Sequence, residues 1–258
     1  MMMTEWIDCG PLGEGSFARV SLALEPRSGQ LFAAKWTPRR SSSSSSSSGG
    51  RPSAELLSLM NEADILASLS KKENRSPFII PLLGLPEHST AILRSRDLGS
   101  VSGPASSFTL FLQFMDLGSL HDLIRREGGK LPEARAASIA APILKGLEYL
   151  HANGVVHCDI KSRNILLNSN GEVKIADFGA SQRLGLGLGL GPGLGLGLGL
   201  GLGLGLAGNV SPECPDSCPS FRGTPLWMAP EVLLGIQQGP PSDIWSFGCT
   251  LLEMLQGR

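Results

Sequence analysis

The chain carries no excess of either charge: 22 Lys and Arg stand against 23 Asp and Glu, a formal net charge of −1. Such a balance gives no general pull toward a polyanion, so nucleic-acid binding is not expected. Cysteine is sparse, five in 258 residues and scattered, which argues against a disulfide framework. Only Cys214 and Cys218 lie close together, and without a second pair or a nearby histidine they read as loop thiols rather than zinc ligands. No apolar run is long enough to span a membrane. The start shows no signal peptide. A reducing intracellular setting is therefore expected, the cytoplasm first and the nucleus as the alternative.

What is present divides the chain. The N-terminal third alternates short apolar runs with turn residues: 12–20, then 21–24, a turn at 26–29, and a strand-like 31–36. That pattern predicts two hairpins of an antiparallel sheet. Residues 41–48 are all serine and lead into Gly49-Gly50; this 41–50 tract has nothing to bury and is expected to lack fixed structure. Residues 54–69 read as an amphipathic helix, with Leu56, Leu57, Met60, Ile65, Leu66 and Leu69 on or near one side. Further strands are expected at 77–84 and 108–114. Residues 132–151 carry Ile139, Ile143, Leu144, Leu147 and Leu150 and read as a buried helix rather than a surface one. Near 243–255 apolar residues fall on almost every side, the pattern of a helix buried all round. Strands with one helix, then helices with a small hairpin, make an α+β chain in two lobes. Residues 184–206 are mostly alternating Gly and Leu; a strand there would have one bare face, so the stretch reads as a low-complexity insertion.

Two phrases carry the chemistry. His157-Cys158-Asp159-Ile160-Lys161-Ser162-Arg163-Asn164 sets a carboxylate, an ammonium and an amide within six residues, and Ala176-Asp177-Phe178-Gly179 adds a second carboxylate 18 residues after Asp159. Between them, Ile165-Leu166-Leu167 and Val173-Lys174-Ile175 flank the turn residues Asn168-Ser169-Asn170-Gly171, so a hairpin can bring both carboxylates to one end. This arrangement resembles the catalytic loop and metal-binding turn of the eukaryotic protein kinases. The resemblance covers nearly the whole chain outside the serine and Gly-Leu tracts. It implies a kinase domain over 6–258, with a small lobe and hinge at 6–115, a partial large lobe at 116–258, and the 184–206 insertion inside the activation segment.

The resemblance also assigns roles. Leu12, Gly13, Gly15 and Val20 would cover the ATP phosphates and base, although the third glycine of the family's loop is Ala18 here. Ala33 and Lys35 match the third kinase strand, with Glu62 as the lysine's partner and Asp64 as its competitor. Gln113, Phe114 and Met115 would meet the adenine through their backbone, beside Leu112 as gatekeeper. Asp159 would orient the substrate hydroxyl and Lys161 would offset charge on the transferred group. Asn164 and Asp177 would hold Mg2+ through oxygen. His157 and Phe178 would pack and orient, in an apolar column with Leu66 and Leu82. Thr224 would bond Asp159 and Lys161, Glu231 would support the segment, and Asp243 would brace the catalytic loop.

Lys161 and Gly223-Thr224-Pro225-Leu226-Trp227-Met228-Ala229-Pro230-Glu231 resemble serine/threonine rather than tyrosine kinases. The wording is similar to mitogen-activated protein kinase kinase kinases, and His-Cys-Asp-Ile-Lys to their plant members. That implies transfer of the ATP γ-phosphate to Ser/Thr residues of proteins, with a downstream MAP kinase kinase as partner. Two departures stand out. Cys158 occupies the place of the arginine that, in most kinases regulated through their activation loop, pairs with a loop phosphate, so phosphorylation at Ser211, Ser217 or Ser220 is expected to matter less than in arginine-bearing relatives. The family's last helices would follow Arg258, so the chain reads as C-terminally truncated; an inactive or scaffold nucleotide-binding protein is the alternative.

Overall fold

The computed structural model describes residues 6–14, 18–37, 53–71, 75–86, 89, 108–184, 223–235 and 238–257. Gly15, the 41–50 tract, all but Leu184 of the Gly-Leu stretch, the loop serines and the Cys214–Cys218 pair lie outside them.

The first lobe is a five-stranded antiparallel sheet in the order β1-β2-β3-β5-β4. Its strands are β1 (Ile7–Glu14), β2 (Arg19–Leu24), β3 (Leu31–Trp36), β4 (Leu82–Gly84) and β5 (Thr109–Gln113). Both expected hairpins form, β1 on β2 and β2 on β3, with Val20 opposite Lys35 and Lys35 in turn opposite Leu110. Strand alternation then decides which side chains can reach the site. Ala33 belongs with the main core, while Phe32 and Ala34 point the other way and pack with Ala23 and Phe111. Helix α1 (Ala54–Ser70) begins where the Ser53 hydroxyl accepts from Leu56 N–H at 3.2 Å. It buries Leu59, Met60, Ile65, Leu66 and Leu69 together with the carboxylate residue Glu62.

The expected strand at 77–84 survives only as Leu82–Gly84. Pro77 and Pro81 have no N–H to give a ladder. The residues between them bond across to the second lobe instead: Ile175 N–H donates to Phe78 O at 2.8 Å and Ile80 N–H to Ile175 O at 2.9 Å.

The second lobe is mainly helical: α2 (Leu120–Arg126), α3 (Glu133–Ala152), the short α4 (Pro230–Leu233) and α5 (Pro240–Gln256). Between α3 and α4 lie β7 (Val155–Val156), β8 (Ile165–Leu167), β9 (Val173–Ile175) and β10 (Gln182–Arg183), with β6 (Gly118–Ser119) before α2. The hairpin expected between the two chemical phrases is β8 on β9, Ile165 opposite Ile175.

Two helices differ from their sequence reading. α3 is one-sided: Ala136, Ile139, Ile143, Leu147 and Leu150 are buried, but Leu144 is 43 % exposed. Its solvent side is largely alanine, lysine and glutamate, and of the five apolar residues that suggested full burial only Leu144 lies on that side. α5 likewise buries one face, Asp243, Ser246, Phe247, Thr250, Glu253 and Met254, while Ile244, Trp245 and Leu252 are about half exposed. Much of its buried face is polar because it carries hydrogen bonds to the loops above. No helix among the described residues is long and apolar enough to cross a membrane.

Candidate active site

The site is built on two anchored loops. The first follows β7. There Asp243, fully buried on α5, accepts from His157 N–H and Cys158 N–H at 2.9 Å each and meets His151 Nε2 at 2.8 Å. Those bonds matter because Cys158 has φ +67°, a left-handed conformation that an ordinary side chain resists by roughly 1–2 kcal/mol. A carboxylate gripping both adjacent amides holds the chain in that conformation.

The turn aims the next residues at one another. Lys161 Nζ donates to Asp159 Oδ2 at 2.7 Å and to Thr224 Oγ1 at 2.6 Å. The Thr224 hydroxyl in turn donates to Asp159 Oδ1 at 2.8 Å. Asn164 Nδ2 donates to Asp159 O at 2.8 Å and to Oδ2 at 3.0 Å. Asp159, Lys161, Asn164 and Thr224 therefore form one bonded cluster, 65 residues from end to end. Gly223 makes the approach of Thr224 possible. It sits at φ +112°, and a Cβ there would lie 2.5 Å from Cys158 O.

The second loop follows β9. Asp177 has φ +66° and its carboxylate turns back to Lys35 Nζ, 2.9 Å from Oδ1. Lys35 reaches Glu62 Oε2 at 2.5 Å on its other side. Asp64, two positions along α1, faces elsewhere and meets Arg183 at 3.3 Å. Burial alone would lower the Lys35 pKa, but the Asp177 and Glu62 carboxylates outweigh it and push it well above the usual lysine range. Burial raises Glu62 despite Lys35. Burial also opposes ionisation of Asp177, yet the Lys35 ammonium, through its charge and hydrogen bond and with Lys161 behind it, holds that carboxyl below its ordinary value.

The two loops are tied directly. Ala176 N–H donates to Asn164 O at 2.8 Å, and His157 Nε2 meets Ala176 O at 3.1 Å. Asp159 N–H lies 3.3 Å from His157 Nδ1, so the ring carries its proton on Nε2. The His157 and Phe178 rings meet edge to face, centroids 4.9 Å apart, and both are fully buried. Phe178 and Leu66 share the main core, with Leu82 packed against it.

The remaining candidates lie around this centre. Val20, Ala33, Leu112 and Met115 join the same apolar cluster as Leu167, a residue the sequence reading did not single out. Gln113 Nε2 donates to Glu172 Oε2 at 3.0 Å, tying the end of β5 to the β8–β9 turn. Leu12 and Gly13 are on β1, Leu12 about half exposed. Glu231 opens α4, half-buried, and is not drawn into either cluster. Sequence reasoning also missed Glu253, whose Oε1 accepts from the Ser162 hydroxyl at 2.5 Å under the catalytic-type loop. It missed Asn61 as well.

Three carboxylates, two ammonium groups and a carboxamide are thus held on or against two loops tied to each other, a set able to grip a polyphosphate and orient a hydroxyl. Comparison with known proteins agrees. The family model described as "Protein kinase domain" matches residues 6–191 and 201–258. Mitogen-activated protein kinase kinase kinase 18 of Arabidopsis thaliana is 34% identical over 256 residues, 98% of this chain and 58% of the relative. Kinase kinase kinase 17 of the same plant is 33% identical, again over 98% of this chain but 52% of the relative. Human mitogen-activated protein kinase kinase kinase 3 is 32% identical over 95% of this chain and 31% of its own length. The chain spans about half the length of the two plant relatives. On the match along nearly its whole length, the chain belongs to the protein kinase domain family.

Proposed function

We propose that the protein transfers the γ-phosphate of ATP to serine or threonine hydroxyls of protein substrates, as a kinase acting at the top of a mitogen-activated cascade. The observation that carries this reading is the Asp159–Lys161–Thr224 cluster, joined through Asn164 and Ala176 to the Lys35–Glu62–Asp177 triad. Asp159 orients the substrate hydroxyl and accepts its proton. Lys161 offsets charge on the group in flight. Lys35, its orientation fixed by Glu62, grips the ATP phosphates. Val20, Ala33, Met115 and Leu167 give the base an apolar seat.

The family implies a divalent metal, and the residues fit Mg2+. Asn164 spends its amide nitrogen on Asp159, leaving its Oδ1 uncommitted. Asp177 commits Oδ1 to Lys35, and its side chain keeps an open edge, 43 % exposed. Two hard oxygen donors suit an ion whose other ligands are phosphate oxygens and water. When bound, it would neutralise charge on the polyphosphate.

Lys161 and the exposed Pro225-Leu226 next to Thr224 support a protein hydroxyl as acceptor, and a downstream MAP kinase kinase is the proposed partner. Among the described residues Cys9, Cys158 and Cys249 form no disulfide, which suits a reducing cytoplasmic location. The test is phosphoamino-acid analysis of a MAP kinase kinase treated with the protein and labelled ATP. Label on serine or threonine is expected; label confined to tyrosine, or none above an Asp159→Asn control, would overturn the reading.

A further inference from the structure

Asn61 lies one residue before Glu62, on the side of α1 that meets the segment after Asp177. Its Nδ2 is 3.3 Å from Phe178 O, 3.2 Å from Gly179 O and 3.0 Å from Ser181 O. Carbonyl oxygens only accept, so the amide nitrogen, not the oxygen, must face them. Two N–H protons are shared among three oxygens that converge on one point.

The rest of the same stripe is engaged too. Ser58, one turn earlier, sits so close that a Cβ on Gly179 would fall 2.2 Å from its hydroxyl. One and two turns later, Asp64 and Ser68 receive Arg183 Nη2 at 3.3 and 2.8 Å. Positions 58, 61, 64 and 68 recur at three- and four-residue spacing, one face of the helix. Residues 178–183 run along that face, and Asn61 is its half-buried midpoint.

We propose that Asn61 is a positioning residue for the Asp177 carboxylate. The helix that presents Glu62 to Lys35 also holds, through Asn61, the three carbonyls that follow Asp177. Both halves of the triad are thereby set by one rigid element. The strained φ of Asp177 persists because the chain just beyond it is pinned. In most kinases regulated through their activation loop an arginine before the catalytic aspartate pairs with a loop phosphate; here Cys158 stands at that place, and the clasp to α1 needs no phosphate. The inference rests on the proposed function in assigning Asp177 to the nucleotide's metal.

The test uses the full chain with Asn61→Asp, which keeps the shape but removes both donors, and Asn61→Ala. Amide hydrogen exchange of residues 178–183 is measured without nucleotide, and Mg2+-dependent ADP binding by calorimetry. Losing hydrogen bonds to three carbonyls should speed exchange there by about tenfold, and should raise the half-saturating Mg2+ for ADP binding by about tenfold. Exchange elsewhere in α3 and α5 should not change. Unchanged exchange at 178–183 overturns the proposal. Faster exchange with an unchanged Mg2+ requirement overturns it as well, since Asn61 would then be only structural. If the wild type transfers no phosphate to any protein, the function reading fails separately, and the exchange and Mg2+ readouts still judge Asn61.

Discussion

Lys35→Met removes the cation that Glu62 and Asp177 share. It leaves a side chain of similar length beside Glu62, whose carboxyl burial already pushes toward the neutral form, so the fold should persist while phosphoryl transfer falls by a hundredfold or more, about 3 kcal/mol of lost transition-state stabilisation. Asp177→Ala should do the same by removing an oxygen donor to Mg2+. Initial rates beside circular dichroism melts check both; either variant within about threefold of wild type would remove the residue from its assigned role. The triad also predicts how acid acts. Glu62 titrates above its ordinary value of 4.5 and Asp177 below 3.8. As pH falls toward 4.5 from above, Glu62 takes up its proton first and Lys35 loses that partner. Because the folded state then binds a proton the unfolded chain does not, this step does not itself destabilise the fold. Stability due to Asp177 is present above 3.8 and goes only as pH falls through its lowered native value. ADP affinity should therefore decline at a higher pH than the melting temperature does, and Glu62→Gln should abolish that gap. Lys35, raised, stays charged on the alkaline side and contributes no loss there near neutrality.

Secondary-structure elements explain what the sequence could and could not reveal. The long periodic segments were legible: α1 and α3 run within a residue or so of their expected bounds, and β8–β9 forms on its turn signal. Two-residue strands such as β6, β7 and β10 are too short to show a period. The segment at 77–84 has strand composition, but its prolines and its cross-lobe bonds to Ile175 split it. The catalytic-type residues were legible because their spacing is dense and unusual. Asn61 and Glu253 were not, because a polar residue on a helix looks like a solvated one until the partner, more than 90 residues away in each case, is in view. Helix α5 carries its own prediction. Ile244, Trp245 and Leu252 make one exposed stripe, and such patches drive association. Replacing them with Ser, Gln and Gln should cut light scattering on heating while changing stability by only about 0.5 kcal/mol per site. A steep fall in melting temperature would mean that the stripe is packed.

Over the whole molecule, bonds between the lobes run from Ile175 to Phe78 and Ile80 and from Lys35 to Asp177, and the second lobe holds the chain on both sides of residues 185–205. Leu184 N–H is held by Gly154 O at 2.7 Å on one side of them, and Thr224 by Asp159 and Lys161 on the other. Deleting 185–205 should then leave the site assembled. Roughly halving a loop lowers its closure cost by about 0.6 kcal/mol, so the melting temperature should hold or rise slightly. A marked drop would show that the stretch is part of the packed fold. The central claim is that the Asp159 cluster and the Lys35 triad, on loops bonded to each other, together move phosphate from ATP to a protein hydroxyl. Its most direct test is the initial rate of labelled γ-phosphate transfer by the wild type and by Asp159→Asn, which keeps every neighbour but loses the accepting carboxylate. The account predicts measurable wild-type transfer and a fall of at least about a hundredfold in the variant, with ADP binding retained. Equal rates for the two proteins, or no transfer by a wild type that binds MgATP, would contradict it.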